Sequence, residues 1–206
     1  MKIKCIKSGK RFNRDWIFRN FTYTFIEGEH YAVTGPNGSG KSTLLQVIAG
    51  AIVASEGSTT YEAADSLQLD PDEIFNSIAI AAPYLEVIEE MTFVELLNFH
   101  QIFKPFLPAI KVDDIISIAG LKHAANKQIR YYSSGMKQRV KLAQAIFSNT
   151  PCLLLDEPCT NLDETGINLY HQLIKNYCKD RLVIVSSNDV QEYNFCTKEV
   201  SITDYK

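Results

Sequence analysis

A glycine-rich segment near residue 40 has the residue types and the spacing that bind a polyphosphate. It reads Gly-Pro-Asn-Gly-Ser-Gly-Lys-Ser-Thr and fits the P-loop pattern, in which Lys and Ser or Thr follow the second of two spaced glycines. Because glycine has no Cβ, successive backbone N–H groups can converge there on one anion. The predicted phosphate-binding residues are Gly35, Pro36, Asn37, Gly38, Ser39, Gly40, Lys41, Ser42 and Thr43.

Two side chains of this segment add charge and metal chemistry. Lys41 can place its ammonium group against the terminal phosphates of a nucleotide, and Ser42 can offer its hydroxyl oxygen to Mg²⁺. An apolar run at residues 31–34 precedes the loop, and a helical pattern from Lys41 to about Ala49 follows it. This order is the setting that a P-loop requires, and the helix N-terminus adds partial positive charge. We therefore predict a site for the polyphosphate of a nucleotide and for Mg²⁺, with Lys41 taking part in catalysis.

Two adjacent carboxylates close an apolar run late in the chain. Residues 153–155 are all Leu, and Asp156 and Glu157 follow them directly. A buried strand would bring Asp156 to its carboxyl end, where it can hold Mg²⁺ directly or through water. Glu157 can then polarise a water for attack on a γ-phosphate. The alternative is a solvated acidic turn after a core strand, which the phosphate loop upstream disfavours.

The elements that position these residues alternate between strand and helix patterns. Apolar runs at residues 78–82, 152–155 and 182–185 predict buried strands, and helical patterns stand between them. This alternation predicts an α/β fold with a mostly parallel sheet, whose sites lie at the carboxyl ends of the strands. We expect surface excursions at residues 55–73, which are acidic and rich in turn formers. Residues 84–132 have a helical period and predict an inserted helical region.

Length and composition limit the classes of function. The 206 residues carry 21 basic and 24 acidic side chains, so the formal net charge is −3 and we expect no nucleic-acid partner. The length suits one domain with a modest inserted lobe. No run approaches the roughly 20 apolar residues that span a bilayer, so we expect a cytoplasmic chain. The 5 cysteines are scattered, which is typical of free thiols in a reducing compartment.

A third segment, residues 132–139, reads Tyr-Ser-Ser-Gly-Met-Lys-Gln-Arg. Together with the phosphate loop and the acidic pair, it resembles the nucleotide-binding domain of ATP-binding cassette (ABC) transporters. Their signature, Leu-Ser-Gly-Gly-Gln, is usually followed by a basic residue and Gln-Arg. In this register Ser133 matches the signature serine and Gly135 its second glycine, while three other positions depart from the pattern. A serine N-cap on an amphipathic helix is a compatible second interpretation of Ser133.

The resemblance covers essentially the whole chain and implies an α/β P-loop NTPase (RecA-like) core with an N-terminal antiparallel β subdomain. Residues 1–83 and 136–206 would form the ATPase core of a single ATP-binding domain. Residues from about 84 to 135 would form an inserted α-helical subdomain. The resemblance also implies that two cassettes pack head to tail around two ATP molecules, each site taking Ser133 and Gly135 from the other chain.

Further site residues follow from the same resemblance. Phe12 matches the aromatic residue that stacks on adenine. Trp16 is a second candidate, although either ring could belong to the core instead. Residues 160–163, Thr-Asn-Leu-Asp, match the loop that couples the two protomers.

Two positions depart from the family in ways that bear on hydrolysis. The segment after the strand at residues 78–82 should hold a glutamine that contacts Mg²⁺ and the attacking water, but residues 81–85 read Ala-Ala-Pro-Tyr-Leu. Glu86 is a candidate substitute. Asn188 stands where the family has a histidine that binds the γ-phosphate, and an amide can donate a hydrogen bond but cannot carry a proton. We therefore predict that Asn188 takes part in catalysis and that Mg-ATP is bound well but hydrolysed slowly unless a partner activates the chain.

The leading interpretation is the ATP-hydrolysing subunit of an ABC transporter. It would act as a homodimer or heterodimer of ATP-binding domains and drive a separate integral membrane permease from the inner face of the plasma membrane. The alternative is a regulatory module of the same family, gated by ATP, that hydrolyses it weakly or not at all. Family members that act on ribosomes carry two cassettes, and those that act on DNA carry a long coiled coil. This sequence contains neither feature, so we do not favour these functions. A kinase or GTPase is disfavoured as well, because neither would explain the signature segment.

Overall fold

Within residues 1–65 and 67–206, which the computed structural model describes, the chain divides into two units. The first holds residues 1–80, 150–157 and 180–206, and the second holds residues 81–149 and 158–179. The strands are β1 (Lys2–Phe12), β2 (Asp15–Ile26), β3 (His30–Thr34), β4 (Glu56–Glu62), β5 (Ile78–Ala81), β6 (Cys152–Asp156), β7 (Leu182–Ser186) and β8 (Lys198–Ser201). The α-helices are α1 (Lys41–Ile48), α2 (Phe93–Phe103), α3 (Val112–Ile118), α4 (Ser134–Phe147), α5 (Glu164–Tyr177) and α6 (Val190–Tyr193).

The N-terminal strands form an antiparallel sheet in the order β2-β1-β4, which confirms the predicted β subdomain. β1 and β2 make one long hairpin, whose closing pair is Phe12 opposite Asp15. β4 lies on the other side of β1, with Tyr61 opposite Ile3. The expectation of surface excursions at residues 55–73 is wrong for β4. Its Ser-Thr-Thr-Tyr run supplies β-branched and aromatic residues that suit a strand, and Tyr61 is buried.

The second sheet has the strand order β5-β6-β7-β3-β8. β6 pairs with β7, β7 with β3, and β3 with β8, all in parallel. β6 and β7 are buried along their whole length, as their apolar runs predict. Parallel strands end at the same edge of a sheet, so the segments that follow β3, β6 and β7 meet there. Those segments carry the phosphate loop, Glu157 and Asn188, and this edge therefore positions the candidate site.

The core of the first unit joins side chains of both sheets and α1. Its aromatic part includes Phe25 and Tyr31, whose ring centroids are 5.0 Å apart with the planes 80° to each other. The buried apolar face of α1 consists of Leu44, Leu45, Val47 and Ile48. Each buried side chain of this size stabilises the fold by about 1.5–3 kcal/mol. This face therefore fixes α1, and with it the loop that precedes it.

The second unit contains α2 to α5. α2 begins with a capping box: the N–H of Thr92 donates to Glu95 Oε2 at 2.8 Å, and the N–H of Glu95 donates to Thr92 Oγ1 at 3.2 Å. α3 is followed by Gly120 at φ +71°, a left-handed conformation that commonly ends a helix. Across residues 1–65 and 67–206, no helix combines the length and the hydropathy that crossing a bilayer requires.

A hydrogen-bond network joins α2 to the end of α4. Ser148 Oγ donates to the carbonyl of Gln144 at 2.7 Å, so this hydroxyl accepts from His100 Nε2 at 2.8 Å. Gln144 Nε2 donates to His100 Nδ1, also at 2.8 Å. The imidazole is thereby held neutral with its proton on Nε2. Burial, and secondly the charge of Lys104, lowers the pKa of His100 to about 4.

Candidate active site

The phosphate loop folds as its glycines require. Gly35 and Gly40 have φ angles of +145° and +102°, which L side chains rarely adopt. A Cβ on Gly40 would lie 2.4 Å from Ile17 Cγ2, and a Cβ on Gly35 would lie 2.8 Å from Ile202 Cγ2. Side chains are therefore excluded at both positions, and the loop backbone packs directly on β2 and on the segment after β8.

Lys41 is the first residue of α1 and is buried, with 5% of its surface exposed. Its Nζ donates to the carbonyl oxygens of Gly35 at 2.8 Å and Pro36 at 3.2 Å. These two bonds hold the ammonium group inside the loop that would receive the phosphates.

A pocket of about 220 Å³ opens on this loop. It is lined by Asn37, Gly38, Ser39, Gly40, Lys41, Ser42 and Thr43, together with Ile17 of β2 and Glu157. The structure thus brings the predicted loop residues and the predicted base into one pocket, with Gly35 and Pro36 as the partners of Lys41. Nothing in the sequence marks Ile17, because a single apolar residue in an alternating strand is indistinguishable from a core residue.

Asp156 ends β6 and is buried, with 2% of its surface exposed. Within the described part of the chain, its Oδ1 has no hydrogen-bond partner. A buried carboxylate oxygen is costly unless a cation or a donor compensates it, and Mg²⁺ prefers such hard oxygen ligands. The residues therefore fit a magnesium ion, with Asp156 and the hydroxyl of Ser42 as its predicted ligands.

Glu157 follows β6 with a φ of +44°, a left-handed conformation that is uncommon for a residue with a side chain. This conformation costs on the order of 1 kcal/mol. The N–H of Glu157 donates to the carbonyl of Ser186, the last residue of β7, at 2.9 Å, and this bond helps to hold it. Since the side chain lines the phosphate pocket, Glu157 lies where a general base could act on a water near a terminal phosphate.

Asn188 lies beside the phosphate loop. Its Nδ2 donates to Asn37 Oδ1 at 3.1 Å, and Asn37 lines the pocket. The backbone N–H of Ser187 donates to the carbonyl of Val33 at 3.2 Å, which ties this segment to β3. Asn188 therefore contacts a residue of the pocket that Glu157 also lines, although Asn188 and Glu157 follow different strands.

The two aromatic candidates for adenine have different surroundings. Phe12 is 50% exposed at the end of β1, with Lys10 Nζ 5.2 Å from its ring centroid. The Trp16 ring lies 4.5 Å from the guanidinium of Arg19, whose Nε donates to Glu56 Oε1 at 2.6 Å. Both rings thus already contact a cation, and these contacts do not choose between them. Phe12 as the partner of adenine stays a prediction.

The signature segment lies in the second unit at the start of α4. Ser133 is the N-cap, and its Oγ accepts from the N–H of Met136 at 3.3 Å. A Cβ on Gly135 would lie 2.9 Å from the carbonyl oxygen of Asn161, so glycine permits the close contact between α4 and residues 160–163. Ser133 and Gly135 thus stand at a helix N-terminus, a position suited to an anion.

A sequence model of a known family matches residues 18–160, and the family is described as "ABC transporter". A relative, the uncharacterized ABC transporter ATP-binding protein YybJ of Bacillus subtilis, is 31% identical over 191 residues, which cover 92% of this chain and 86% of the relative. The chain belongs to the ABC transporter family. This cassette is also 26% identical to the lantibiotic transport ATP-binding protein SrtF of Streptococcus pyogenes, over 92% of the cassette and 80% of the relative.

A solved ATP-binding cassette agrees with this assignment. Its structure is dimeric, in a post-hydrolysis state bound to ADP and Pi. It superposes with a TM-score of 0.83 at 25% identity, covering 97% of this cassette and 93% of that chain. The predicted family and the P-loop NTPase fold are confirmed, and the cassette is an ATP-binding subunit within a family of ATPases.

The segment at residues 81–85, which the sequence predicts to stand where the family has its glutamine, is held in this cassette by a lysine of α4. Lys141 Nζ donates to the carbonyl oxygens of Pro83 at 3.2 Å and Ala82 at 3.4 Å. Lys141 and Glu86 line a second pocket of about 210 Å³, which lies within the second unit. Burial lowers the pKa of Lys141, and the charge of Glu86 partly offsets this. Substitution of the glutamine by Glu86 stays a prediction.

Proposed function

We propose that the cassette binds Mg-ATP at the phosphate loop and hydrolyses it to ADP and phosphate. The observation that carries this proposal is the single pocket shared by Lys41, Ser42 and Glu157. A triphosphate in that pocket meets an ammonium group, the N–H groups of the loop and the positive end of α1, while a carboxylate faces the same space.

Each residue has a distinct part in the reaction. The backbone N–H groups of the loop and Lys41 bind and orient the β- and γ-phosphates. Mg²⁺, held by Ser42 and Asp156, would offset the negative charge of the phosphates. Glu157 polarises the attacking water and accepts its proton. Asn188 donates a hydrogen bond to the γ-phosphate.

The proposed active form is a dimer of ATP-binding domains, either two copies of this chain or this chain with a second cassette. Support comes from the dimeric state of the solved relative. Ser133 and Gly135 would contact the γ-phosphate bound by the other protomer, because the N-terminus of α4 provides donors suited to an anion. ATP would join the two protomers, and hydrolysis would weaken that junction.

We further propose that hydrolysis is slow unless a partner activates it. Loss of one well-placed donor to a developing negative charge costs about 10²–10³-fold in rate. The cassette lacks the glutamine at residues 81–85, and Asn188 cannot carry a proton. The same two differences support the alternative, a regulatory cassette that binds ATP and hydrolyses it weakly or not at all.

The proposed partner is an integral membrane permease on a separate chain, with the cassette at the cytoplasmic face of the membrane. A relative carries the name of a lantibiotic transport ATP-binding protein, which supports a transport role. We also propose that residues 1–206 form one ATP-binding domain, with residues 1–83 and 136–206 as the ATPase core and about 84–135 as the helical subdomain.

Calorimetric titration with Mg-ATP tests the binding. Lys41→Ala should abolish binding, whereas Lys175→Ala, at an exposed position of α5, should leave it unchanged. Steady-state turnover then tests the rate, which Asn188→His should raise. Turnover at the level of ordinary family members, unchanged by Asn188→His, would rule out slow hydrolysis, and absence of Mg-ATP binding would rule out the proposed function.

A further inference from the structure

Asn37 makes a contact that its place in the phosphate loop does not require. Its Oδ1 accepts the 3.1 Å hydrogen bond from Asn188 Nδ2, which belongs to the separate segment after β7. Both side chains are exposed, and Asn37 lines the phosphate pocket. The bond therefore lies at the border of the pocket, where a bound nucleotide can reach it.

The backbone that carries Asn188 is fixed on its C-terminal side as well as at Ser187. Ser187 Oγ accepts from the N–H of Asp189 at 2.9 Å, and Asp189 Oδ1 accepts from the N–H of Gln191 at 2.9 Å. Ser187 itself is 1% exposed. The freedom that Asn188 keeps is rotation about its own side-chain bonds, and the bond to Asn37 restricts that rotation.

From this geometry we propose that Asn37 is a positioning residue for Asn188. The inference rests on the proposed ATP site and adds to it the group that orients the Asn188 amide. Asn37 accepts one of the two Nδ2 hydrogens, which leaves the second for an oxygen of the terminal phosphate. Without Asn37 the exposed amide samples other rotamers, so the donor meets the phosphate in a smaller fraction of molecules.

The effect falls on discrimination between ATP and ADP, because ADP lacks the terminal phosphate. The quantity to measure by calorimetry is the ratio of the ADP to the ATP dissociation constant, with Mg²⁺ present. Asn188→Ala should lower this ratio about fivefold, the worth of one hydrogen bond, and Asn37→Ala should lower it by a similar factor. The double variant should match either single variant, because the two residues act as a unit.

Two results of this cycle would overturn the inference. One is a double variant whose loss is the product of the single losses, about 25-fold, which indicates independent contacts. The other is a single variant that leaves the ratio unchanged. Asn126→Ala, at an exposed position of the second unit, is the matched control and should have no effect.

Aspartate variants test the direction of the bond at equal added charge. Asn37→Asp keeps a side-chain acceptor for Asn188 Nδ2. Asn188→Asp instead replaces the donor by a carboxylate, which then faces the side-chain oxygen Oδ1 of Asn37. Both changes weaken ATP binding by adding negative charge beside the phosphates. Asn188→Asp should weaken it about fivefold more, and equal or reversed effects would contradict the proposed arrangement.

Asn188→His supplies a readout that a purely structural role of Asn37 would not move. Asn37 Oδ1 can accept from one ring nitrogen and so select the tautomer that faces the phosphate. The histidine variant should turn over faster, and its rate should change with pH around a midpoint of about 6.5. Adding Asn37→Ala should remove the gain in rate. A gain that survives the loss of Asn37 overturns the inference. Failure of the ATP site itself is distinguishable, since it shows as Mg-ATP binding that is absent or insensitive to Lys41→Ala.

Discussion

The backbone N–H of Glu157 donates to the carbonyl oxygen of Ser186 at 2.9 Å, and in the parallel ladder of β6 and β7 this bond closes the last strand pair, Asp156 with Ser186. The bond coincides with the turn to a φ of +44° at Glu157. The neighbouring strand therefore sets the backbone that carries the carboxylate, and the direction of this side chain does not depend on a flexible loop.

Glu157→Gln should trap the ATP-bound dimer. The amide keeps the size of the side chain but cannot take a proton from water, so ATP stays intact between the protomers. Light scattering should show a dimer with Mg-ATP and a monomer with Mg-ADP. Glu164→Gln, at an exposed position on α5, serves as the control and should not accumulate the dimer. A monomer under all conditions would count against the dimeric active form.

Gly40→Ala should destabilise the cassette more than Gly28→Ala. Both glycines have positive φ angles, but a Cβ at residue 28 meets nothing within 4 Å, while at residue 40 it meets Ile17 Cγ2 at 2.4 Å. The strained φ costs about 1 kcal/mol at each position, and overpacking should add about 1–3 kcal/mol at residue 40. Urea unfolding measures the difference. In an Ile17→Ala background the two glycine substitutions should cost the same, and a persisting excess would show that Ile17 is not its cause.

Asp156→Asn should stabilise the fold while weakening the dependence of ATP binding on Mg²⁺. The variant removes a buried charge whose Oδ1 is unpartnered within the described residues, so the free energy of unfolding should rise by about 1 kcal/mol. The same change removes the carboxylate that would bind the metal. Calorimetry with and without Mg²⁺ and urea unfolding test the two parts. Asp113→Asn, at an exposed position of α3, is the control. If ATP binding by the Asp156→Asn variant depends on Mg²⁺ as strongly as in the unmodified chain, Asp156 is excluded as a magnesium ligand.

The His100 network should make stability fall on acidification. The pKa of a histidine in the unfolded chain is about 6.5. In the fold the pKa of His100 is lowered to about 4, mainly by burial and secondly by the charge of Lys104. Below about pH 6.5 the unfolded chain binds a proton at His100 that the folded chain does not. The stabilisation that neutral His100 gives the fold is therefore complete above that pH, and it is lost progressively as the pH falls to 4. The loss between pH 7 and pH 4.5 should be about 1–2 kcal/mol after allowance for partial exposure.

Urea midpoints at the two pH values measure this effect. His100→Gln should lose less stability on acidification than the unmodified chain, and the exposed His123→Gln should behave like the unmodified chain. Equal pH dependence in all three proteins would show that His100 titrates normally in the fold.

The parts of the site that follow buried strands could be predicted from the sequence. The Leu run before Asp156 and the apolar run before Gly35 each predict a strand without reference to the rest of the chain, because strands buried on both faces need continuous apolar residues. Parallel strands then bring their ends to one edge, so the meeting of the phosphate loop, Asp156 and Glu157 follows from topology. The helix N-cap at Ser133 and the capping box at Thr92 can also be predicted from the sequence, because each depends only on residues within one helical turn.

Other features depend on contacts between distant residues and left no local pattern. Ile17 enters the pocket because Gly40 lacks a Cβ, and neither residue alone reveals the approach. β4 reads as an acidic turn-rich stretch, but pairing with β1 makes it a strand. The bond from Asn188 to Asn37 joins residues that follow different strands. These relationships arise from the tertiary fold, which overrides local propensity.

The two carbonyl bonds of Lys41 bear on how tightly a phosphate can be held. Burial has already stripped most hydration from this cation, and the loop's own dipoles replace the lost water. An incoming phosphate therefore does not have to dehydrate the lysine, and it gains attraction from a charge whose solvation cost was met when the chain folded. Stability of the fold and affinity for a nucleotide therefore make opposite demands on this residue. A neutral replacement such as Lys41→Met should remove the free-energy cost of burying the ammonium group and should abolish nucleotide binding.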